Sequence, residues 1–93
     1  MGKFELGRTV QTRGIAAACE ESPKFLKEVY EAFDKYVSCD WGDTCDDDKQ
    51  LNDSAVENND DRIVAKYCLS KGNIFIITEW DRSYTTIMFA DEY

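Results

Sequence analysis

The spacing of apolar residues divides this chain into a helical first part and a β-rich last third. The clearest helix follows Ser22-Pro23, a hydroxyl N-cap with proline at the first helical position. Phe25, Leu26, Val29, Tyr30, Phe33, Tyr36 and Val37 then recur at intervals of three and four. Lys24, Lys27, Glu28, Glu31, Asp34 and Lys35 fall mostly on the other side, so the stripe reads first as core. Ahead of it, IAAACEE (15–21) is a short alanine-rich helical piece. KFELGRTVQT (3–12) partly alternates, as a short strand bulged at Gly7 would. Thr12-Arg13-Gly14 is expected to turn the chain between the two.

Asp40-Trp41-Gly42-Asp43 breaks the helical pattern and reads as a turn whose Trp is expected to tuck against the fold. Asp43 or Thr44 is placed to cap a further helix whose first turn holds Asp46, Asp47 and Asp48, where the helix dipole favours negative charge. Leu51, Ala55 and Val56 give it a thin apolar stripe, and 58–61 (NNDD) ends it. From residue 62 the period becomes two. Ile63, Ala65, Tyr67 and Leu69 alternate with Val64, Lys66 and Cys68; Lys71-Gly72-Asn73 makes a hairpin turn. NIFIITEW (73–80) reads as a central strand, and YTTIMFA (84–90) follows a turn at 81–83. The pattern predicts one α+β domain over 1–93. Its sheet is antiparallel and three- to four-stranded, the C-terminal meander with or without a strand from the N-terminus, and two to three helices cover one face.

Composition excludes several classes. No apolar run approaches a membrane span, and no secretory signal is visible, which predicts a cytoplasmic protein with reduced thiols. The 93 residues include no histidine, and the four cysteines contain no C-x-x-C pair. Histidine-based catalysis and zinc binding therefore have no support, and neither a metal nor a cofactor is expected. A calcium loop beginning at Asp46 would need glycine at its sixth position and has Leu51.

The charge is unevenly distributed. Residues 40–61 hold nine acids and one base, while the remainder holds ten of each, so this segment carries the whole net charge of −8. Such a segment repels phosphates, which argues against direct nucleic-acid binding, and attracts basic protein surfaces. Asp40, Asp43, Asp46, Asp47, Asp48, Asp53 and Glu57 are the candidate contact charges, with Trp41 as apolar anchor. The competing reading is a solvated helix that only aids solubility. A second constellation is TEWDRSYTT (78–86), with Glu79, Trp80, Asp81 and Arg82 at the end of the central strand. Asp81 is expected to cap the turn and Arg82 to pair with a nearby carboxylate. Arg82 is also placed to hold the acidic loop onto the sheet. An enzymatic alternative gathers Asp40, Asp43, Glu79 and Asp81 into a metal-assisted hydrolase or nuclease-like centre.

Three stretches carry a resemblance. The opening follows F-x-L-G-x-x-V-x-T-x-G through Phe4, Leu6, Gly7, Val10, Thr12 and Gly14. Cys39-Asp40-Trp41-Gly42-Asp43 follows G-D-W-G-D, and IITEWDRSYTTIMFADEY follows I-I-T-E-A-D-R-S-x-T-T-x-L-x-P-x-E-Y. In these the chain resembles a family of small proteins of bacterial plasmids, phages and other mobile elements. Cys39 stands for glycine, Trp80 for alanine and Ala90 for proline. Members often carry labels such as plasmid-related protein or restriction-modification subunit. A methyltransferase subunit would need a cofactor-binding α/β domain and a Gly-rich βα turn, which this chain lacks. The resemblance implies a setting among accessory genes that meet host defences. Together with the charge, it leads to the expectation of a non-enzymatic inhibitor of the anti-CRISPR or anti-restriction type. Such a protein would bind a basic nuclease or defence complex, as a monomer or a homodimer.

Overall fold

Three consecutive strands form the meander that the C-terminal alternation predicts. In a computed structural model describing residues 4–93, they are β2 (Ile63–Leu69), β3 (Gly72–Thr78) and β4 (Tyr84–Phe89). Ile63 pairs with Thr78, Leu69 with Gly72, and Ile76 with Ile87, all antiparallel. A fourth strand, β1 (Arg8–Gln11), completes the order β1-β4-β3-β2. It runs parallel to β4, so the sheet is mixed where a wholly antiparallel one was expected. The chain leaves β1 through the helices and returns through the meander, a connection long enough for parallel pairing. Gly7 makes the entry feasible. Its φ is +64°, and a Cβ there would collide with the carbonyls of Arg82 and Ser83. The strand expected over 3–12 is confined to Arg8–Gln11: residues 4–7 precede it, so Gly7 leads into the strand and is not a bulge within it, and Lys3 lies outside the described residues.

The first helix, α1 (Arg13–Glu21), starts earlier than its alanine run suggests. Thr12 is its N-cap, with Oγ1 accepting from Ile15 N at 3.3 Å, so 12–14 begins a helix instead of turning the chain. Ser22 closes α1 and opens α2 (Pro23–Val37), where its Oγ accepts from Phe25 N at 3.1 Å. The buried face of α2 is Phe25, Val29, Ala32 and Tyr36. Leu26 and Tyr30 lie about 100° around the helix from Phe25 and Val29, and both are exposed. The apolar stripe is thus narrower than the sequence suggested. The third helix, α3 (Asp46–Asn58), runs along β2 and ends at Asn59 in the left-handed region. Among the described residues, no helix is long and apolar enough to cross a membrane.

Helices α1 and α2 cover one face of the sheet, giving the α+β architecture. Ile63, Ala65, Tyr67, Ile74, Ile76 and Ile87 turn toward them and share one core with Ile15, Phe25 and Tyr36. A polar chain crosses this core. The Tyr36 hydroxyl lies 2.7 Å from Thr78 Oγ1, which lies 2.8 Å from Thr85 Oγ1, which donates to the Leu6 carbonyl at 2.7 Å. Helix, sheet and N-terminal segment are joined through groups that burial would otherwise leave unsatisfied.

Burial pushes the phenols of Tyr36 and Tyr67 above the ordinary tyrosine range; charges on Tyr36 and Asp40 raise Tyr67 further. In the unfolded chain both ionise near pH ~10. The fold therefore holds protons that the unfolded chain releases. The associated stability is intact below pH ~10 and falls as pH rises beyond it. Urea denaturation at increasing alkaline pH is expected to show this decline, with a shallower slope for Tyr36→Phe. A flat profile contradicts the assignment.

Candidate functional site

An edge strand presents main-chain groups that require partners. On β2, the amides of Val64, Lys66 and Cys68 point away from β3, and side chains satisfy all three. Val64 N donates to Asn52 Oδ1 at 3.2 Å, Lys66 N to Thr44 Oγ1 at 2.9 Å, and Cys68 N to Asp43 Oδ2 at 2.8 Å. Two of the carbonyls are met as well: Asn52 Nδ2 donates to Val64 O at 2.9 Å, and Asp43 N to Lys66 O at 2.9 Å. Beyond the strand, Ser70 N and Oγ both donate to Glu28 Oε1, which holds the Glu28 carboxyl below the ordinary range. The acidic segment therefore occupies the place of a neighbouring strand.

Gly42 allows the close approach. It bridges to Lys66 with φ +59°, and a Cβ there would strike the Tyr67 ring. Asp40 organises the turn: its Oδ1 accepts from Gly42 N at 3.1 Å, and its carbonyl accepts from Tyr67 Oη at 2.8 Å. Trp41 is 3% exposed, with its ring 5.5 Å from Tyr36 and 6.1 Å from Phe4. Its Nε1 donates to Asp53 Oδ1 at 2.8 Å, tying the turn to α3. Trp41 is thus a core residue with no ring face left for a partner, a correction to its reading as an anchor. Thr44 serves β2 and donates to Trp41 O at 2.6 Å, while the α3 N-cap position falls to Cys45 without a side-chain bond. Neither Asp43 nor Thr44 caps the helix as expected.

Asp46, Asp47, Asp48 and Glu57 stay exposed on α3. At about 100° per residue, Asp46, Asp53 and Glu57 fall within ~40° of one another, opposite the buried Asn52 and Ala55. Asp48 lies on the sheet side, where it lines grooves with Val64, Lys66 and Phe75. A cavity of about 580 Å³ opens beside the turn, lined by Glu28, Glu31, Lys35, Asp40 and Asp43 among others.

Arg82 locks the far end of the segment. It is 7% exposed and stands at φ +60° in the turn between β3 and β4. Its Nη2 donates to the carbonyls of Ala55 (2.9 Å) and Asp60 (3.1 Å), and Nη1 to Asp61 (2.7 Å), Trp80 (3.1 Å) and Glu79 (3.2 Å). All five acceptors are backbone carbonyls, where a carboxylate partner was expected. A cation at the C-terminal carbonyls of α3 is also favoured by the helix dipole. Asp81 accepts from Ser83 N at 3.0 Å, and hydrogen bonding to Ser83 holds its carboxyl below the ordinary range. Trp80, on the same turn, is 66% exposed.

The enzymatic constellation does not assemble. Asp43 bonds at Cys68, whereas Glu79 adjoins Thr78, whose partner Ile63 lies five residues away along β2. That separates the two carboxylate pairs by about 17 Å. Among the described residues, no three His, Cys, Asp or Glu side chains are close enough to hold an ion. Sequence reasoning missed Asn52 and Thr44. The available signal was an amide three residues before Ala55, at an inward position of the helix. The chain matches no protein-family model, no curated protein and no solved structure.

Asn52→Ala leaves two Val64 groups without partners and is expected to cost about 2 kcal/mol. Arg82→Ala, which orphans several carbonyls, is expected to cost at least as much. Asp46→Asn and Asp47→Asn should stay within about 0.5 kcal/mol. Urea denaturation of the four variants checks this ranking.

Proposed function

We propose that this chain is a small non-enzymatic binding protein that inhibits a nucleic-acid-handling protein by occupying its basic surface. One observation carries the reading. The segment holding all the excess charge is fixed at both ends, by the β2 edge and by Arg82, with Asp46, Asp47 and Glu57 exposed. Charges on a rigid support lose little conformational entropy on binding, and a field of one sign steers a basic partner. A solubilising helix needs no such fixation. The cavity beside Asp40 and Asp43 has room for a lysine or arginine side chain of the partner.

The partner class is a nuclease or defence complex whose basic groove normally holds DNA or RNA. The resemblance to mobile-element proteins supports an anti-CRISPR or anti-restriction role in the bacterial cytoplasm. Direct contact with nucleic acid is disfavoured by repulsion from the phosphates.

Purified restriction endonucleases and RNA-guided nucleases, each titrated with this protein with and without DNA, test the reading. Binding to at least one, competed by DNA and weakened by salt, is expected. The Asp46→Asn/Asp47→Asn/Glu57→Gln variant should bind at least about tenfold more weakly. Equal binding by variant and wild type to every partner that binds contradicts the proposal.

A further inference from the structure

The two edges of the sheet are finished differently. The outward amides of β2 have side-chain acceptors, whereas the β1 edge has no cover. Arg8 N donates to Ser83 O and Thr12 N to Ile87 O, so the even-numbered residues of this segment turn their main-chain groups to β4. In a parallel pair the N–H and C=O of one residue point to the same side, so those of Thr9 and Gln11 point outward. Among the described residues nothing bonds to the main-chain groups of Thr9 and Gln11, and every residue of β1 is exposed. Such a row of unpaired donors and acceptors is a template for one more strand.

The distribution of charge selects a second copy as that strand. The excess of −8 lies wholly within 40–61, along the β2 edge, and the rest of the chain holds ten acids and ten bases. Two copies joined at β1 therefore bring neutral halves together. With strands ~4.8 Å apart, their β2 edges stand about 34 Å from each other, several times the Debye length of ~8 Å. The strand is also complementary to itself. Antiparallel pairing about a two-fold axis through Val10 sets Thr9 opposite Gln11 of the second copy, and Gln11 opposite Thr9. Each of these pairs exchanges two main-chain hydrogen bonds. Val10 meets Val10 of the second copy at a non-hydrogen-bonded position, where side chains approach most closely. At 37% exposure in the monomer, it gains cover there. Alternation puts Arg8 on the same face as Val10, opposite Thr12 of the second copy. Thr12 Oγ1 donates to Glu92 Oε1 at 2.8 Å, so a carboxylate stands where Arg8 arrives, on both sides of the axis. Arg13, the next cation along the chain, lies past the end of β1 in the first turn of α1 and falls opposite Gly7.

We propose that two copies of this chain pair through their β1 strands, antiparallel about Val10, and fuse their four-stranded sheets into one continuous sheet. So short a strand buries less than the ~1,200 Å² of a stable complex, so the dimer is weak, with a Kd on the order of 0.1 mM. Both acidic segments stay free at the outer edges. Failure of the dimer therefore leaves the binding role proposed above intact.

Sedimentation velocity and amide exchange between about 10 μM and 1 mM test the proposal. Wild type should pass from monomer to dimer over this range. In the dilute monomer Thr9 and Gln11 should exchange as a free edge does, and at 1 mM both should slow about fourfold. Thr9→Pro removes an outward amide that bonds to nothing in the monomer. It should weaken the dimer at least about tenfold, with unchanged far-UV circular dichroism. Val10→Cys, oxidised with glutathione disulfide at high protein concentration, should give a covalent dimer whose peptide map joins the two substituted positions. A non-hydrogen-bonded pair sets its Cα atoms ~4.5 Å apart, within disulfide reach. Arg8→Cys should not join to itself, because its two copies lie ~14 Å apart along the strands. A monomer at every concentration overturns the proposal. So does a dimer indifferent to Thr9→Pro, or one in which the Val10→Cys positions fail to join.

Discussion

Each outward amide of β2 needs an acceptor, and side chains from a helix and a turn supply it. Asn52 meets Val64 on both its amide and its carbonyl, Thr44 meets Lys66, and Asp43 meets Cys68. Covering the edge in this way removes a template for aggregation. It also fixes where the charge goes. Helix α3 has a thin apolar face, with Leu51 64% exposed and few buried residues of its own. Without the polar contacts to β2 and Arg82, little would hold it in place. Segment charge and segment position thus have separate causes. The charge lies in Asp46, Asp47, Asp48 and Glu57, and the position comes from Asn52, Thr44, Asp43 and Arg82.

The two ends of this arrangement use backbone conformations that ordinary residues disfavour. Gly42 lies in the left-handed region against Tyr67, and Cys39, Asp61 and Arg82 also have positive φ. Such conformations persist where surrounding contacts over-determine them. At Arg82 those contacts are five carbonyls. At the Asp40–Asp43 turn they are the Tyr67 hydroxyl, the β2 edge and the buried indole of Trp41. The turn and the arginine therefore act as clasps at the start and end of one acidic segment.

Local patterns were legible in the sequence. Ser22-Pro23 announced α2, and alternation from Ile63 onward announced the meander, because each signal lies within one element. Partnerships between distant elements were not. Parallel pairing of β1 with β4 depends on Gly7 meeting the turn at Arg82 and Ser83. Trp41 was expected to tuck against the fold, and it does, but its ring partners Tyr36 and Phe4 lie on other elements, and that burial rules out its use as a surface anchor. Arg82 suggested a carboxylate partner, but its acceptors are backbone carbonyls, which every residue carries and no sequence distinguishes. For the site, the acidic helix and its charged first turn were legible, while the means of holding it to the sheet were not.

The division between charge and position rests on the clasp at β2, which native-state hydrogen exchange probes directly. The amides of Val64, Lys66 and Cys68 should exchange as slowly as those bonded within the sheet, and those of Thr9 and Gln11 on the opposite edge much faster. Asn52→Ala should release Val64 ahead of global unfolding. Exchange of the three β2 amides at the rate of a free edge would contradict the account.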